Sequence, residues 1–163
     1  MANHIGKIWE RLVNSRLMKH LEGNKLLSDR QHGFRQKRGT FSNVIELWEH
    51  IMQKIDDEGS LVEMRSFDLT KAFDLLIHEK ALLLCHSFGV TGDTGRCIEN
   101  WLTDRTQYVE CVNKKPSKVP VGKSCVQGSV LGPTLWYIYI QSLMNRLKDK
   151  CEFYAYADDL LHL

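Results

Sequence analysis

The sequence lacks any closely spaced pair of cysteines: Cys85 and Cys97, the nearest two of its five, are twelve positions apart. No Cys-x-x-Cys motif is therefore present to form a zinc site or a thioredoxin-like redox centre. An odd cysteine count also argues against a disulfide framework. These absences favour a reducing compartment, and we expect an intracellular protein, cytoplasmic and/or nuclear.

A signal peptide, a membrane-spanning run and a strong net charge are absent as well. The amino-terminal residues are charged and helix-periodic, and no hydrophobic stretch is long enough to span a bilayer. The formal net charge of +2 neither demands nor excludes a phosphate-bearing partner. With 163 residues, 43% of them hydrophobic and 26% charged, the chain has the size and composition of one globular domain. We therefore expect a single core and no membrane partner.

Hydrophobic residues that recur at helical spacing predict five helices. Between the first two helices, the polar and basic segment 27–39 is expected to be a loop or short irregular strands. Asp74 stands where the N-cap of the third helix is expected. The helices are expected at 5–21, 42–56, 75–88 and 92–103, and from Pro133 towards Lys148 and Lys150.

Alternating polar and apolar residues predict the strands. Segment 61–68 is expected to be a strand that ends on its aspartate, and segments 106–112 and 119–126 are expected to form a hairpin. The carboxyl-terminal residues are expected to form a second hairpin with Asp158 and Asp159 at its turn. We expect the last strand to be an edge strand that exposes apolar residues.

Asp68, Asp158 and Asp159 are the strongest candidates for a chemical site. One carboxylate at a strand end and two at a turn can hold a divalent cation, because strands fix the oxygens while turns leave the coordination sphere open. Mg²⁺ is the natural candidate, since it prefers hard oxygen ligands. Two other interpretations stay open: a solvated Asp-Asp turn, and an aspartate that caps the next helix. Apolar residues flank the Asp-Asp pair, which favours a functional site.

Several motifs resemble, in order and spacing, those of reverse transcriptases from non-LTR retrotransposons of the LINE or jockey-like kind. They are FDLTKAFD at 67–74, QGSVLGPTLWYIYI at 127–140 and YADD at 156–159. The row LLSDRQHGFRQKRGT resembles the fingers motif of that family, and ENWLTDRTQYVECV resembles its connecting segment. The similarity extends from near residue 5 to the end of the chain.

The resemblance implies an α+β fold of fingers and palm, in which an antiparallel palm sheet carries the aspartates and is backed by helices. It divides one partial reverse transcriptase domain, 1–163, into fingers at about 1–60 and palm at about 61–163, with the thumb missing. It also implies templated nucleotidyl transfer that uses Mg²⁺ or Mn²⁺, dNTPs, an RNA template and a DNA primer.

By the same resemblance, Asp68 and Asp158 are the main metal ligands and Asp159 is the supporting carboxylate. Phe73 is the aromatic gate under the incoming sugar, and ordinary core packing is its alternative role. Lys71 also belongs to the family pattern, but its role as a substrate contact or as a structural ion pair stays open.

The resemblance also implies binding residues for the substrates. Gln127 and Gly128 belong to the loop beside the nascent base pair, where glycine permits a close backbone approach. Arg35 is expected to meet the triphosphate, because a guanidinium binds phosphate oxygens in a bidentate manner. Lys37 and Arg38 are expected to contact the template backbone, and a solvated basic loop is the alternative for all three cations.

The chain departs from the family pattern at three places, and this indicates relaxed constraint. Ser124-Cys125-Val126 stands where a proline-containing Gly-Val-Pro usually precedes Gln-Gly, Thr134-Leu135-Trp136 replaces Leu-Leu-Phe, and Gln141-Ser142 replaces Asn-Asp. We also expect the chain to lack an upstream endonuclease. This expectation and the missing thumb motivate an alternative, a catalytically inactive retroelement relic with at most residual RNA binding. An RNA-dependent RNA polymerase is a weaker third alternative.

Overall fold

The computed structural model describes residues 4–58, 61–108, 117–147 and 152–163. Helices and small antiparallel sheets alternate along these ranges, so the fold has the mixed α and β content expected from the sequence. The elements are α1 (His4–Gly23), α2 (Thr40–Glu58), β1 (Arg65–Asp68), α3 (His78–Ser87), α4 (Gly92–Leu102), β2 (Thr106–Gln107), β3 (Val119–Pro120), α5 (Leu131–Leu147), β4 (Phe153–Tyr156) and β5 (Asp159–His162).

Helix α5 lies at the centre of the hydrophobic core. Its first ten residues are almost wholly apolar, and such a helix is expected to be buried on all sides. Leu131, Leu135 and Ile138 are buried. Helix α5 packs against α1 and α3, and α4 packs against the same two helices. Each fully buried leucine stabilises the fold by about 1.5–3 kcal/mol relative to an exposed one.

All five predicted helices are confirmed, with shifts at their ends. Helix α2 begins two residues earlier than predicted, and α5 begins at Leu131, so Pro133 lies in its first turn, where a proline is tolerated. The predicted end of the last helix at Lys148 and Lys150 lies outside the described residues. None of the described helices is long and apolar enough to cross a membrane.

The start of α3 differs from the prediction. Asp74 is not its N-cap: the cap position belongs to Ile77, which forms no side-chain capping bond. Residues 70–75 form turns instead, in which Lys71 has a φ of 52° and its carbonyl accepts a bond from the Asp74 N–H at 2.9 Å. Ile77 then forms an antiparallel bridge with Lys123. Tertiary pairing therefore delays the helix beyond the point that local capping signals suggest.

The main sheet has three antiparallel strands in the order β1-β5-β4. Strand β5 is therefore central, and the prediction of an exposed edge strand is wrong because β1 pairs with its second side. Asp68 lies opposite Asp159 in the β1 and β5 pair, and Phe67 lies opposite Leu160. Strand β1 covers only the last four residues of the predicted strand. This register fixes the end of the sheet where the aspartates lie.

The predicted hairpin after α4 is confirmed in its pairing but is shorter within the described ranges. Strands β2 and β3 are antiparallel, with Thr106 opposite Pro120. Residues 109–116, which include most of the predicted turn, lie outside the described ranges.

The loop between α1 and α2 contacts the free edge of β4. Gln31 forms a parallel bridge with Ala155. The Ala155 N–H donates to the Arg30 carbonyl at 2.8 Å, and the His32 N–H donates to the Ala155 carbonyl at 3.0 Å. Backbone bonds therefore tie this loop to the strand that leads into the Asp158 turn.

A buried carboxylate holds α1 against the start of α5. Glu10 is 4% exposed. It accepts bonds from the Val130 and Leu131 N–H groups and, at 3.3 Å, from the Trp101 indole of α4. A carboxylate at a helix N-terminus satisfies unpaired N–H groups and interacts favourably with the helix dipole. Three helices therefore meet at this one side chain.

Replacement of Glu10 with alanine is expected to destabilise the fold by about 1–3 kcal/mol, because it leaves buried donors without an acceptor. The measurement is the free energy of unfolding from urea denaturation. Glu49→Ala, at an exposed position of α2, is the matched control and should change stability by less than about 0.5 kcal/mol. Equal losses in the two variants would contradict the capping role.

Candidate active site

The sheet brings the predicted aspartates to one end. Asp68 is the last residue of β1 and Asp159 is the first residue of β5, and the two lie opposite each other. Ala157 and Asp158 form the turn between β4 and β5. Asp159 therefore belongs to a strand and not to the turn in which it was predicted.

An open cleft of about 550 Å³ lies beside this end of the sheet. Its walls come from the turns after β1, the loop before α5 and the β4–β5 turn. Lys71, which is exposed, also lines it. Asp159 and Arg35 are not among the lining residues. The predicted site residues that share the cleft are Asp68, Asp158, Phe73, Gln127 and Gly128.

The carboxylates of the cleft are open to solvent. Asp68 and Asp159 are exposed, and Asp158 is half-buried. Within the described ranges, neither Asp68 nor Asp158 forms a side-chain hydrogen bond or a salt bridge. Their oxygens are therefore free of competing protein partners in that part of the chain.

The donor set of the cleft fits a hard cation with few protein ligands. Among the described residues, no three His, Cys, Asp or Glu side chains lie close enough to hold a metal ion by themselves. Mg²⁺ commonly binds through one or two carboxylates and completes its coordination with water and substrate phosphates. Asp68 and Asp158 can supply such a pair, with Asp159 adjacent in the ladder.

Phe73 is anchored in an aromatic cluster at the edge of the cleft. Its ring centroid lies 5.6 Å from that of Trp136 and 6.3 Å from that of Phe34. Its carbonyl accepts a bond from the Cys125 N–H at 2.9 Å. The half-buried side chain thus has a packing role and also lines the cleft.

The loop that carries Gln127 and Gly128 is tied to the segment after β1. The Ser124 N–H donates to the Leu76 carbonyl at 2.8 Å, so the loop is held although the family's usual proline is absent. Gly128 has a φ of 74°, which glycine adopts without strain. Burial raises the pKa of the Cys125 thiol to about 12, so this cysteine stays protonated and is a poor nucleophile.

Arg35 lies outside the cleft and is held by other parts of the protein. Its Nε and Nη2 donate to the two carboxylate oxygens of Glu22 at 2.9 and 2.7 Å, and its Nη1 donates to the Ser28 carbonyl at 2.6 Å. The side chain is only 6% exposed. This geometry fixes the loop against α1, and the triphosphate contact of Arg35 stays a prediction.

The other two cations of the loop differ from each other. Arg38 pairs with Asp29 at 2.7 Å. Lys37 is exposed and has a φ of 61°. Lys37 is therefore better placed than Arg38 to meet a phosphate backbone, and both template contacts stay predictions.

Two residues behind the turn were missed in the sequence. An added Cβ on Gly33 would clash with the Ala157 nitrogen and lie 3.0 Å from the Ala157 Cα. Gln31 is fully buried, and its side chain bonds to the Ala157 backbone. The glycine was a usable signal, since glycine often marks a close backbone approach. Nothing local marked Gln31, a polar residue in a polar loop, as buried.

The whole chain, residues 1–163, matches the family model described as reverse transcriptase (RNA-dependent DNA polymerase), and the chain belongs to this family. It is 30% identical, over 98% of its length, to a probable RNA-directed DNA polymerase from transposon BS of Drosophila melanogaster. It is 29% identical, over 77% of its length, to the retrovirus-related Pol polyprotein from type-1 retrotransposable element R2 of Popillia japonica. It is 27% identical, over 85% of its length, to the RNA-directed DNA polymerase from mobile element jockey of Drosophila melanogaster.

These relatives confirm the predicted similarity to non-LTR retrotransposon polymerases. They are much longer than the chain, which spans 18%, 22% and 15% of their respective lengths. The chain is thus a reverse transcriptase domain similar to one part of these longer proteins. The activity of the longer proteins does not follow from this similarity alone.

Gly33→Ala is expected to destabilise the fold by about 1–3 kcal/mol, because the new methyl group must push the loop away from the Ala157 backbone. The measurement is the midpoint of thermal unfolding. Gly39→Ala is the control: nothing lies within 4 Å of an added Cβ there, so its midpoint should stay near that of the unaltered protein. A Gly33→Ala variant of undiminished stability would show that the close approach is unimportant.

Proposed function

We propose that the protein catalyses metal-dependent, RNA-templated nucleotidyl transfer from dNTPs to a DNA primer. The observation that carries the proposal is the convergence of Asp68 and Asp158, from separate segments, on one open cleft. Phe73, Gln127 and Gly128 line the same cleft. Groups suited to a cation, a sugar and a base pair are therefore neighbours, and family membership supports this reaction type.

We assign residues at about 1–60 to the fingers and at about 61–163 to the palm of one reverse transcriptase domain. The three-stranded antiparallel sheet with aspartates at its end supports the palm assignment. The loop between α1 and α2, which bonds to β4 beside the turn, supports a fingers segment that adjoins the palm.

The aspartates are the groups that would hold the metal ions in this proposal. Asp68 and Asp158 would be the main ligands, with Asp159 as the supporting carboxylate. When bound, Mg²⁺ or Mn²⁺ activates the primer 3′-hydroxyl and stabilises the leaving pyrophosphate. Lys71 is exposed at the same cleft and has no salt bridge to a described residue, which favours a substrate contact over a structural ion pair.

The remaining residues would position the nucleotide. The Phe73 ring, supported by Trp136, would exclude a 2′-hydroxyl and so favour deoxynucleotides. The Gln127 amide can donate to and accept from the nucleotide or the template, and Gly128 leaves space beside it. Arg35 would reach a triphosphate only by releasing Glu22.

Asp158→Asn should lower Mg²⁺-dependent incorporation of dTTP on a poly-rA and oligo-dT template by at least about a hundredfold, because loss of a metal ligand costs several kcal/mol of transition-state stabilisation. The control is Asp104→Asn, at an exposed turn position with a φ of 52° that asparagine tolerates. Salt-dependent RNA binding by the unaltered protein, without Mg²⁺-dependent incorporation, would identify an inactive relic and contradict the proposal.

Phe73→Val should raise the use of ribonucleotides relative to deoxynucleotides by about tenfold or more, because the smaller side chain leaves room for a 2′-hydroxyl. The measurement is the ratio of kcat/KM for UTP and dTTP. Phe153→Val, in β4 and away from the cleft, makes the same change in size and should leave the ratio unaltered. An unchanged ratio in Phe73→Val would limit Phe73 to packing.

A further inference from the structure

The turn that carries Asp158 contains a residue with an unusual backbone. Ala157 has a φ of 58°, in the left-handed region that residues other than glycine, asparagine and aspartate rarely adopt. It is also 9% exposed, so its N–H and carbonyl are sheltered from solvent. Such a conformation persists only where the surroundings hold it, and it is common at functional sites.

The surroundings that hold Ala157 include the side chain of Gln31. The Gln31 Nε2 donates to the Ala157 carbonyl at 3.3 Å, and its Oε1 accepts from the N–H groups of Ala157 and Gly33, each at 3.2 Å. A side-chain amide is suited to this task because it both donates and accepts. The amide orientation follows from the network, since two N–H groups require the oxygen and one carbonyl requires the NH₂.

A second donor reaches the same carbonyl from α5. The Trp136 Nε1 donates to the Ala157 carbonyl at 3.1 Å, and Trp136 is 5% exposed. A phenylalanine ring at this position would have no N–H to donate. The tryptophan in this chain therefore has a defined bonding partner, which argues against relaxed constraint at position 136.

The two donors are themselves fixed by the fold. Gln31 is 0% exposed and is bridged to β4 through Ala155, so its side chain approaches the turn from the loop side. Trp136 belongs to the central helix, stacks on Tyr139 and lies in a tilted contact with Phe73. The loop between α1 and α2 and helix α5 thus each supply a donor to the Ala157 carbonyl.

We propose that Gln31 is a positioning residue, with Trp136 as a second donor, that fixes the Ala157 backbone and thereby sets the direction of the Asp158 carboxylate in the cleft. The catalytic part of this inference rests on the proposed function, in which Asp158 binds metal. Neither side chain lines the cleft, so neither is expected to contact a nucleotide. Their loss should therefore lower kcat and leave the KM for dTTP nearly unchanged.

The test uses Gln31→Met, which keeps an unbranched side chain of similar length, and Trp136→Phe, which keeps the aromatic packing. Gln141→Met is the matched control. Gln141 is 3% exposed, and its amide accepts from the Ser28 N–H and donates to Asn145, so neither bond involves Ala157. Two readouts are compared: hydrogen exchange at the turn amides, and kcat and KM for dTTP on a primed RNA template.

In Gln31→Met, the Ala157 amide should exchange at least about tenfold faster while the α5 amides keep their protection, and kcat should fall by about tenfold or more at nearly constant KM. Trp136→Phe should lower kcat by less, because Gln31 still donates to the carbonyl. The double variant should be non-additive, since both donors share one acceptor. Gln141→Met should lower global stability and leave both hydrogen exchange at the turn amides and kcat nearly unchanged.

If hydrogen exchange at the Ala157 amide is no faster in Gln31→Met than in Gln141→Met, the proposal that Gln31 fixes this turn is overturned. An unchanged kcat in Gln31→Met, with the unaltered protein active, would overturn the positioning role while the proposed function stands. Absence of incorporation by the unaltered protein would instead defeat the proposed function, and the exchange data would still decide whether Gln31 holds the turn.

Discussion

Strand β5 pairs with β4 on one side and with β1 on the other, and this double pairing determines where the carboxylates lie. Side chains alternate along a strand, so a shift of one residue would turn each aspartate to the opposite face. The observed register places Asp68 opposite Asp159 and leaves Asp158 in the turn beside them. The register thus places Asp68 and Asp158 at the cleft, whose other walls come from the turns after β1 and the loop before α5.

Buried polar groups stabilise this arrangement of strands and turns. Glu10 joins α1 to the start of α5, and Gln31 joins the loop between α1 and α2 to the turn that carries Asp158. Each is nearly inaccessible to water, so each would be costly if its partners were lost. Arg35 belongs with them, since its bond to Glu22 holds the same loop against α1. The open carboxylates of the cleft thus rest on a scaffold in which Glu10, Gln31 and Arg35 are each paired.

Periodicity predicted the helices and the carboxyl-terminal hairpin, because these depend on local pattern. Five of the residues that the family motifs singled out line one cleft, while Asp159 and Arg35 do not. The failures came from long-range contacts. The covering of β5 by β1 joins segments with no local relation, and the bridge between Ile77 and Lys123 displaced the expected cap at Asp74. Gln31 and Trp136 were overlooked for the same reason, since their partner Ala157 is distant in sequence. The composition of a polar loop does not indicate which of its amide side chains is buried.

If Asp68 and Asp158 hold the same metal ions, a double-mutant cycle on metal affinity will show coupling between the two carboxylates. Mn²⁺ binding would be followed by electron paramagnetic resonance with primed RNA template and dTTP present, in the unaltered protein, Asp68→Asn, Asp158→Asn and the double variant. Either single change should weaken Mn²⁺ binding by about tenfold or more, and the double variant should lose clearly less than the sum of the two losses, as expected for two carboxylates at one site. Strictly additive effects, or Mn²⁺ binding that neither change weakens, would contradict a shared site.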